Sequence, residues 1–193
     1  MQRSTVGHRP GRQRALFVDR DGTLNPDLRY LRDAERLELY RGVGSALSLA
    51  HQHDYLVICV TNQSGIDRGF YTRDDVERIH HRVNELLRPS GTQVDAFYYC
   101  PHAPDAGCRC RKPATGLFED AARDHGIDFG NSAILGDRPL DVEAGQKLGL
   151  LTGLVVPPGH EAELREETRT KGTQPDLFAS TFLGALLRVL ARG

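Results

Sequence analysis

The 193-residue chain has no tryptophan, one methionine and no excess of either charge, with 25 Lys and Arg against 26 Asp and Glu and a formal net charge of −1. The balance excludes a global basic field of the kind that holds nucleic acid, and an acidic tail that would keep the chain unfolded. Apolar runs are short, none approaching the roughly 18 residues that span a bilayer. The first 14 residues, MQRSTVGHRPGRQR, carry four arginines and lack the apolar stretch of a secretory signal. They read as a disordered lead-in, followed by a single domain over residues 15–193. The expected compartment is cytoplasmic, where thiols stay reduced, which weighs against disulfides among the four cysteines.

What the chain does have is an alternation of short apolar runs and amphipathic segments. ALFV (15–18), YLVICVT (55–61), DAFYYC (95–100), SAILGD (132–137) and LLTGLVV (150–156) read as buried strands. Residues 42–53, 72–90, 116–126, 138–149 and 181–192 carry apolar positions at helical spacing, with Thr72 as an N-cap and Gly126 as a stop. Residues 160–172 read as a charged, exposed helix or loop. The alternation predicts an α/β fold, a parallel sheet sandwiched by helices. In such sheets ligands sit beyond the carboxyl ends of the strands, near a switch in strand order.

Each of the first four strands is followed by reactive side chains: Asp19-Arg20-Asp21, then Thr61-Asn62-Gln63-Ser64, then a Cys/His cluster with Arg111-Lys112, then Asp137-Arg138. Asp19 and Asp21 are two apart, and a strand that ends between them can aim both into one crevice. One carboxylate can attack a phosphoryl group; the other can protonate the leaving oxygen and later deprotonate water. Two close like charges would raise one of the two pKa values, which suits an acid working near neutrality. Asp137 adds a third carboxylate, giving an oxygen-lined site suited to Mg²⁺. Thr61 and Asn62 offer neutral donors for phosphoryl oxygens, and Lys112 a positive charge. A Ca²⁺ loop beginning at Asp19 is excluded, because its twelfth position is Tyr30 rather than Glu.

The stretch YYCPHAPDAGCRCRKP (98–113) holds Cys100, His102, Cys108 and Cys110. Three thiolates and one imidazole make a closed tetrahedral shell typical of structural Zn²⁺, whereas a hydrolytic zinc would keep a position open. Cys59 lies inside an apolar run and reads as a small buried hydrophobe.

DRDGT, TN, RK and GDRPLD, in that order over residues 15–157, resemble the four motifs of the haloacid-dehalogenase-like (HAD) phosphotransferase superfamily. The resemblance implies a Rossmann-like fold with a minimal cap. It makes Asp19 the nucleophile and Asp21 the general acid/base, with Thr61 and Lys112 on the phosphoryl group. It places Mg²⁺ on Asp19, the Asp21 carbonyl and Asp137, and gives Asp141 a supporting place beside the metal or Lys112. DRDGTLN, TNQSGIDRGFYT, YYCPH and CRCRKP are closer still to the heptose bisphosphate phosphatase family, which implies removal of the 7-phosphate of D-glycero-D-manno-heptose 1,7-bisphosphate.

That likeness puts Asp27 to Tyr30 and Thr61, Asn62, Gln63 and Ser64 along the substrate, with Arg111 and Arg138 near it. The expected partner is a small phosphorylated sugar bound by a monomer, with no nucleic acid and no membrane. Specificity then falls to short loops, 25–31 and 101–110. Alternatives are histidinol-phosphate hydrolysis, action on a nucleic-acid 3′-phosphate, or a catalytically inactive zinc module. Arg68 is expected to be a solvent-exposed loop charge. The chain departs from the heptose pattern at Ala114-Thr115-Gly116-Leu117, at Arg138 in place of a lysine, and in the short loop between His102 and Cys108.

Overall fold

The structure, a computed structural model, describes residues 13–156 and 159–192. Six strands, β1 (Arg14–Val18), β2 (Tyr55–Asn62), β3 (Ala96–Cys100), β4 (Ala133–Gly136), β5 (Leu151–Val155) and β6 (Leu177–Ala179), form one sheet in the order β3-β2-β1-β4-β5-β6. Every pairing is parallel. The helices between strands are α1 (Val43–Gln52), α2 (Arg73–Leu87), α3 (Gly116–His125), α4 (Pro139–Leu148) and α5 (Glu161–Lys171), with α6 (Phe182–Leu190) closing the fold.

The continuous apolar runs are explained by burial on both faces of a parallel sheet. Alternate residues of one strand serve two cores. Leu16 and Val18 of β1, with Val57 and Cys59 of β2, pack against α1, α2 and α6 through Leu47, Ile79 and Leu186. Ala15 and Phe17, with Ile58 and Val60, pack on the opposite side against Phe118 and Ala121 of α3 and Ala144 of α4. Cys59 is fully buried as expected, and burial pushes its thiol well up. Thr72 caps α2, accepting from Asp75 N at 3.2 Å while the Asp75 carboxylate accepts from Thr72 N at 2.7 Å.

Strand order reverses at β1, flanked by β2 and β4, so the crevice expected of such a sheet opens beyond the carboxyl ends of β1 and β4. Two details differ from the sequence reading, and one alternative it left open is decided. β1 begins at Arg14, and Gln13 bridges to Ile127, so the last two of residues 1–14 belong to the fold; the remainder of that lead-in lies outside the described residues. Residues 161–171 are helical, held by pairs such as Arg165–Glu161 and Lys171–Glu167, both at 2.6 Å. β6 has only three residues, too few for a periodicity to register.

Candidate active site

The first carboxylate is set by the end of β1. Asp19 N donates to Leu135 O of β4 at 3.0 Å, so Asp19 stands where three strands finish. Gly22 then turns the chain at φ +91°, and a Cβ there would lie 2.2 Å from Asp137 Oδ2. The chain therefore needs glycine both for the turn and to let Asp137 approach. Thr23 Oγ1 reaches Asp137 Oδ1 at 3.5 Å, so Thr23 serves the loop.

Lys112 arrives from the loop after β3. Its Nζ sits 2.8 Å from Asp19 Oδ1 and 2.7 Å from Asp141 Oδ1, and donates to Val60 O at 2.7 Å. All three side chains are buried. Burial works against the ammonium, but Asp141 and Asp19 outweigh it and raise the Lys112 pKa, keeping it charged. Asp141 is held at the start of α4, where it also accepts from Arg138 N at 3.2 Å. It approaches so closely that a Cβ on Gly136 would meet its Cγ at 2.3 Å. Of the two places open to Asp141, the geometry favours the one on Lys112.

Asn62 is used differently from the sequence expectation. Its Oδ1 accepts from Lys112 N at 3.0 Å and its Nδ2 donates to Lys112 O at 3.1 Å. Both ends of the amide grip the Lys112 backbone, leaving Thr61 as the free donor of that pair. Thr61 Oγ1 accepts from Gln63 Nε2 at 2.9 Å, so its hydroxyl proton remains available.

One of the two close aspartates is raised, as expected, but it is Asp19 and not the expected acid, Asp21. Burial pushes Asp21 up, but the charge and hydrogen bonds of Arg20, joined by Asn25 and Gln63, bring it below the ordinary carboxylate value. Arg20 Nη2 is 2.6 Å from Asp21 Oδ2, Asn25 Nδ2 3.0 Å from Oδ1, and Gln63 Nε2 2.9 Å from Oδ2. The raised acids are Asp19, where burial prevails over Lys112, and Asp137, which burial and the neighbouring Asp19 and Asp141 push to about 8. Ligand oxygens of Asp19, Asp137 and Asp141 lie within 4.8 Å of one another. With Asp141 committed to Lys112, Asp19 and Asp137 are the carboxylates that fit a hard divalent cation.

Over these groups opens a cleft of about 480 Å³. It is lined by Asp19, Asp21, Asp27, Tyr30, Thr61, Asn62, Gln63, Ser64, Arg111, Lys112 and Arg138, so one wall brings together every candidate catalytic and substrate-binding side chain. Asp137 stands beside the cleft, with Arg138 Nε 3.6 Å from its Oδ2. Asp27 and Arg138 pair with each other at 2.7 Å. Arg29 and Tyr30 both take left-handed backbone, at φ 46° and 55°, which turns the 26–31 loop over the opening. Tyr30 packs on Phe70 at 4.4 Å and accepts from Arg68 at 2.7 Å. Arg68 is exposed in its loop, as expected, and is tied to Tyr30 at the rim of the cleft.

Residues the sequence reading missed are Arg20, Asn25 and Tyr71. Tyr71 donates to Gln63 Oε1 at 2.7 Å and so orients the amide that holds Asp21. Arg20 sits between two conspicuous aspartates and reads as a spacer; its complete burial is what makes it the Asp21 partner.

The Cys/His cluster closes the site from the side of β3. Cys100 Sγ lies 3.6 Å from Cys108 Sγ and 3.2 Å from Cys110 Sγ, with Cys108 and Cys110 3.3 Å apart. His102 Nδ1 is 3.6 Å from Cys100 Sγ and 3.1 Å from Cys110 Sγ. All four cysteines are free thiols. With Zn–S near 2.3 Å, a tetrahedral site has edges of about 3.7 Å, so the four donors fit a zinc ion. The last cysteine of the cluster is two residues from Lys112. Arg111 donates to His102 O at 3.4 Å. Gln63 N donates to Cys100 O at 2.7 Å and Ala103 N to Asp67 Oδ2 at 2.9 Å, tying this loop to the one after β2. In the segment that departs from the heptose pattern, a Cβ on Gly116 would meet Arg109 O at 2.5 Å, so the glycine is required there. No helix among the described residues is long and apolar enough to cross a membrane.

Two families match: one described as HAD-hydrolase-like over residues 109–185, and one as polynucleotide kinase 3 phosphatase over residues 23–138. A probable D-glycero-D-manno-heptose-1,7-bisphosphate 7-phosphatase of Thermoplasma acidophilum is 41% identical over 71% of this chain and 86% of its own length. A D-glycero-beta-D-manno-heptose-1,7-bisphosphate 7-phosphatase of Helicobacter pylori is 40% identical over 74% of this chain and 83% of its own. The solved D,D-heptose 1,7-bisphosphate phosphatase of B. bronchiseptica, complexed with magnesium and phosphate, superposes with a TM-score of 0.79 at 28% identity, covering 93% of this chain and 99% of that one. With aspartates, threonine and lysine meeting at the strand ends and relatives of this similarity, the chain belongs to the HAD-like phosphatase family.

Proposed function

We propose that this phosphatase removes the 7-phosphate of D-glycero-D-manno-heptose 1,7-bisphosphate through an aspartyl-phosphate on Asp19. The observation that carries the reading is the Lys112 ammonium between Asp19 and Asp141 at the floor of a cleft also lined by Asp21 and Thr61. The names of the relatives supply the substrate.

Lys112 fixes Asp19 and offsets its charge as a phosphate dianion approaches. Thr61 donates its hydroxyl to a phosphoryl oxygen. An Asp19 oxygen bonds to phosphorus, the bond from phosphorus to the C7 oxygen breaks, and that oxygen takes a proton from Asp21. The arriving dianion raises the Asp21 pKa from its low resting value and so loads it with the proton it transfers. Asp21 then takes a proton from water as the water attacks phosphorus, and the bond to Asp19 breaks to release phosphate. Mg²⁺, held by Asp19, Asp137 and the Asp21 carbonyl, would supply charge neutralisation for the transferring group.

At the rim, Arg111 and Arg138 present planar forks suited to the second, non-reacting phosphate. The Asp27–Arg138 pair must exchange partners for Arg138 to reach it. A panel of heptose 1,7-bisphosphate, histidinol phosphate and an oligonucleotide 3′-phosphate tests the substrate by phosphate release. The expected order puts the heptose bisphosphate well ahead in kcat/KM. The exposed Tyr30–Phe70 pair and the match over residues 23–138 give the nucleic-acid end a physical basis for stacking, so a faster oligonucleotide would replace this reading.

Zinc on Cys100, His102, Cys108 and Cys110 would pin the loop that delivers Arg111 and Lys112. Removing it with a strong chelator, then restoring Mg²⁺, should raise KM and lower kcat together while Asp19 remains phosphorylatable. Bound zinc is checked by elemental analysis. Unchanged kinetics after complete loss of the metal would separate the cluster from the loop's position.

A further inference from the structure

The helix α2 buries a histidine that the reaction as described does not use. His80 is 3% exposed, stacked on Phe97 at 4.2 Å and 11°, with Tyr99 edge-on at 5.7 Å. Among the described residues neither of its ring nitrogens has a hydrogen-bond partner. Buried polar nitrogens are partnered in nearly all proteins, by protein or by ordered water. A histidine that only filled space beside Phe97 would be better replaced by an apolar side chain.

A second buried group is short of one partner. Arg20 is 1% exposed; its Nε and Nη2 hold Asp21 at 3.2 and 2.6 Å, and its Nη1 has no partner among the described residues. The sheet register brings the two groups to the same neighbourhood. Phe97 is aligned with Cys59, and Cys59 with Val18, so the strand residue beneath the His80 ring lies in one row with the end of β1. Val18, Cys59 and Phe97 belong to the same core face, the one α2 covers, and Arg20 follows Val18 by two residues. Burial and then the Arg20 charge push the imidazole down to about 3, so the ring is neutral. A neutral imidazole keeps one acceptor nitrogen, and a guanidinium has only donors, so the two unfilled valences are complementary.

We propose that His80 is a positioning residue for Asp21: its imidazole accepts from one buried water that in turn accepts from Arg20 Nη1, and so holds the guanidinium that orients the Asp21 carboxylate. Such a water would have two polar partners, one ring nitrogen and Nη1, which is within the usual two to four. Asp21 is thereby fixed from two sides: Tyr71 and Gln63 at one oxygen, and Arg20, backed by His80, across both. The proposal rests on Asp21 acting as the proton carrier in the reading above.

The test is His80→Leu in the full-length enzyme, which keeps the volume and removes both nitrogens. The expected result is a kcat roughly tenfold lower with KM within twofold, the scale of a misplaced catalytic group, and no loss of thermal stability. His80→Asn, which retains an acceptor, should recover part of that kcat. The Arg20 Nη resonances in nitrogen NMR, slowly exchanging in the wild type, should broaden or vanish in His80→Leu. A kcat per folded molecule equal to wild type, with unchanged Arg20 resonances, would overturn the proposal.

If His80→Leu does not fold, His80→Asn and His80→Ala are compared, both smaller than histidine. Asn above Ala in kcat supports the acceptor role, and equality overturns it. If the wild type hydrolyses no phosphomonoester, the phosphatase reading fails separately, and the Arg20 resonances still decide whether His80 holds the guanidinium.

Discussion

Replacing Asp19 by asparagine is expected to lower kcat by at least about 10⁴-fold, the scale on which removal of a nucleophile acts. The amide is nearly the same size and remains within reach of Lys112, so the fold and the zinc content should be unchanged. The measurement is steady-state phosphate release, with circular dichroism and metal analysis on the same sample. A variant with near wild-type turnover would remove Asp19 from the chemistry and leave no other residue of the cleft with a comparable position.

Lys112→Met should lose both turnover and stability. It leaves Asp19 and Asp141 buried without the ammonium that now lies 2.8 and 2.7 Å from them. Breaking a buried pair by removing one partner costs about 3–5 kcal/mol, because the remaining charge is stranded. Asp141 has no exposed surface to which it could turn. The double variant Lys112→Met with Asp141→Asn removes the stranded charge and should regain most of the unfolding free energy without regaining turnover. Chemical denaturation of the two variants measures this directly. Equal stability of the single variant and the wild type would mean that the triad is not the electrostatic keystone of the site.

Much of this site could be read before any coordinates. Asp19, Asp21, Thr61 and Asp137 follow apolar runs at strand ends, where a polar residue has few structural reasons to be, and Lys112 lies in the loop after β3. The Cys/His cluster was legible because three cysteines and a histidine fall within eleven residues, and the fold brings the four side chains together. What the sequence did not disclose depends on three-dimensional neighbours. Asn62 looks like a phosphate donor, but its two amide ends match the Lys112 backbone that the β2–β3 pairing brings beside it.

Of the two close aspartates the raised one is Asp19, while Asp21 is held low by the buried arginine between them. His80 lies one residue past Ile79 on a helix whose apolar stripe was plain, and only burial separates it from the exposed His81 beside it. β6 escaped because three residues carry no period. Arg68 and Phe70 read as loop residues, and become part of the cleft mouth through Tyr30, whose left-handed backbone no propensity would suggest.

The central claim is that phosphate passes through Asp19. It is tested most directly by acid-quenching the enzyme during turnover of the fastest substrate, reducing with borohydride and sequencing the peptide around FVDRDGTLN by mass spectrometry. An acyl phosphate on Asp19 is reduced to homoserine, so the account predicts homoserine at residue 19 and aspartate at residue 21. Homoserine at residue 21, or an unmodified peptide from enzyme quenched while turning over with a burst of product, would contradict it.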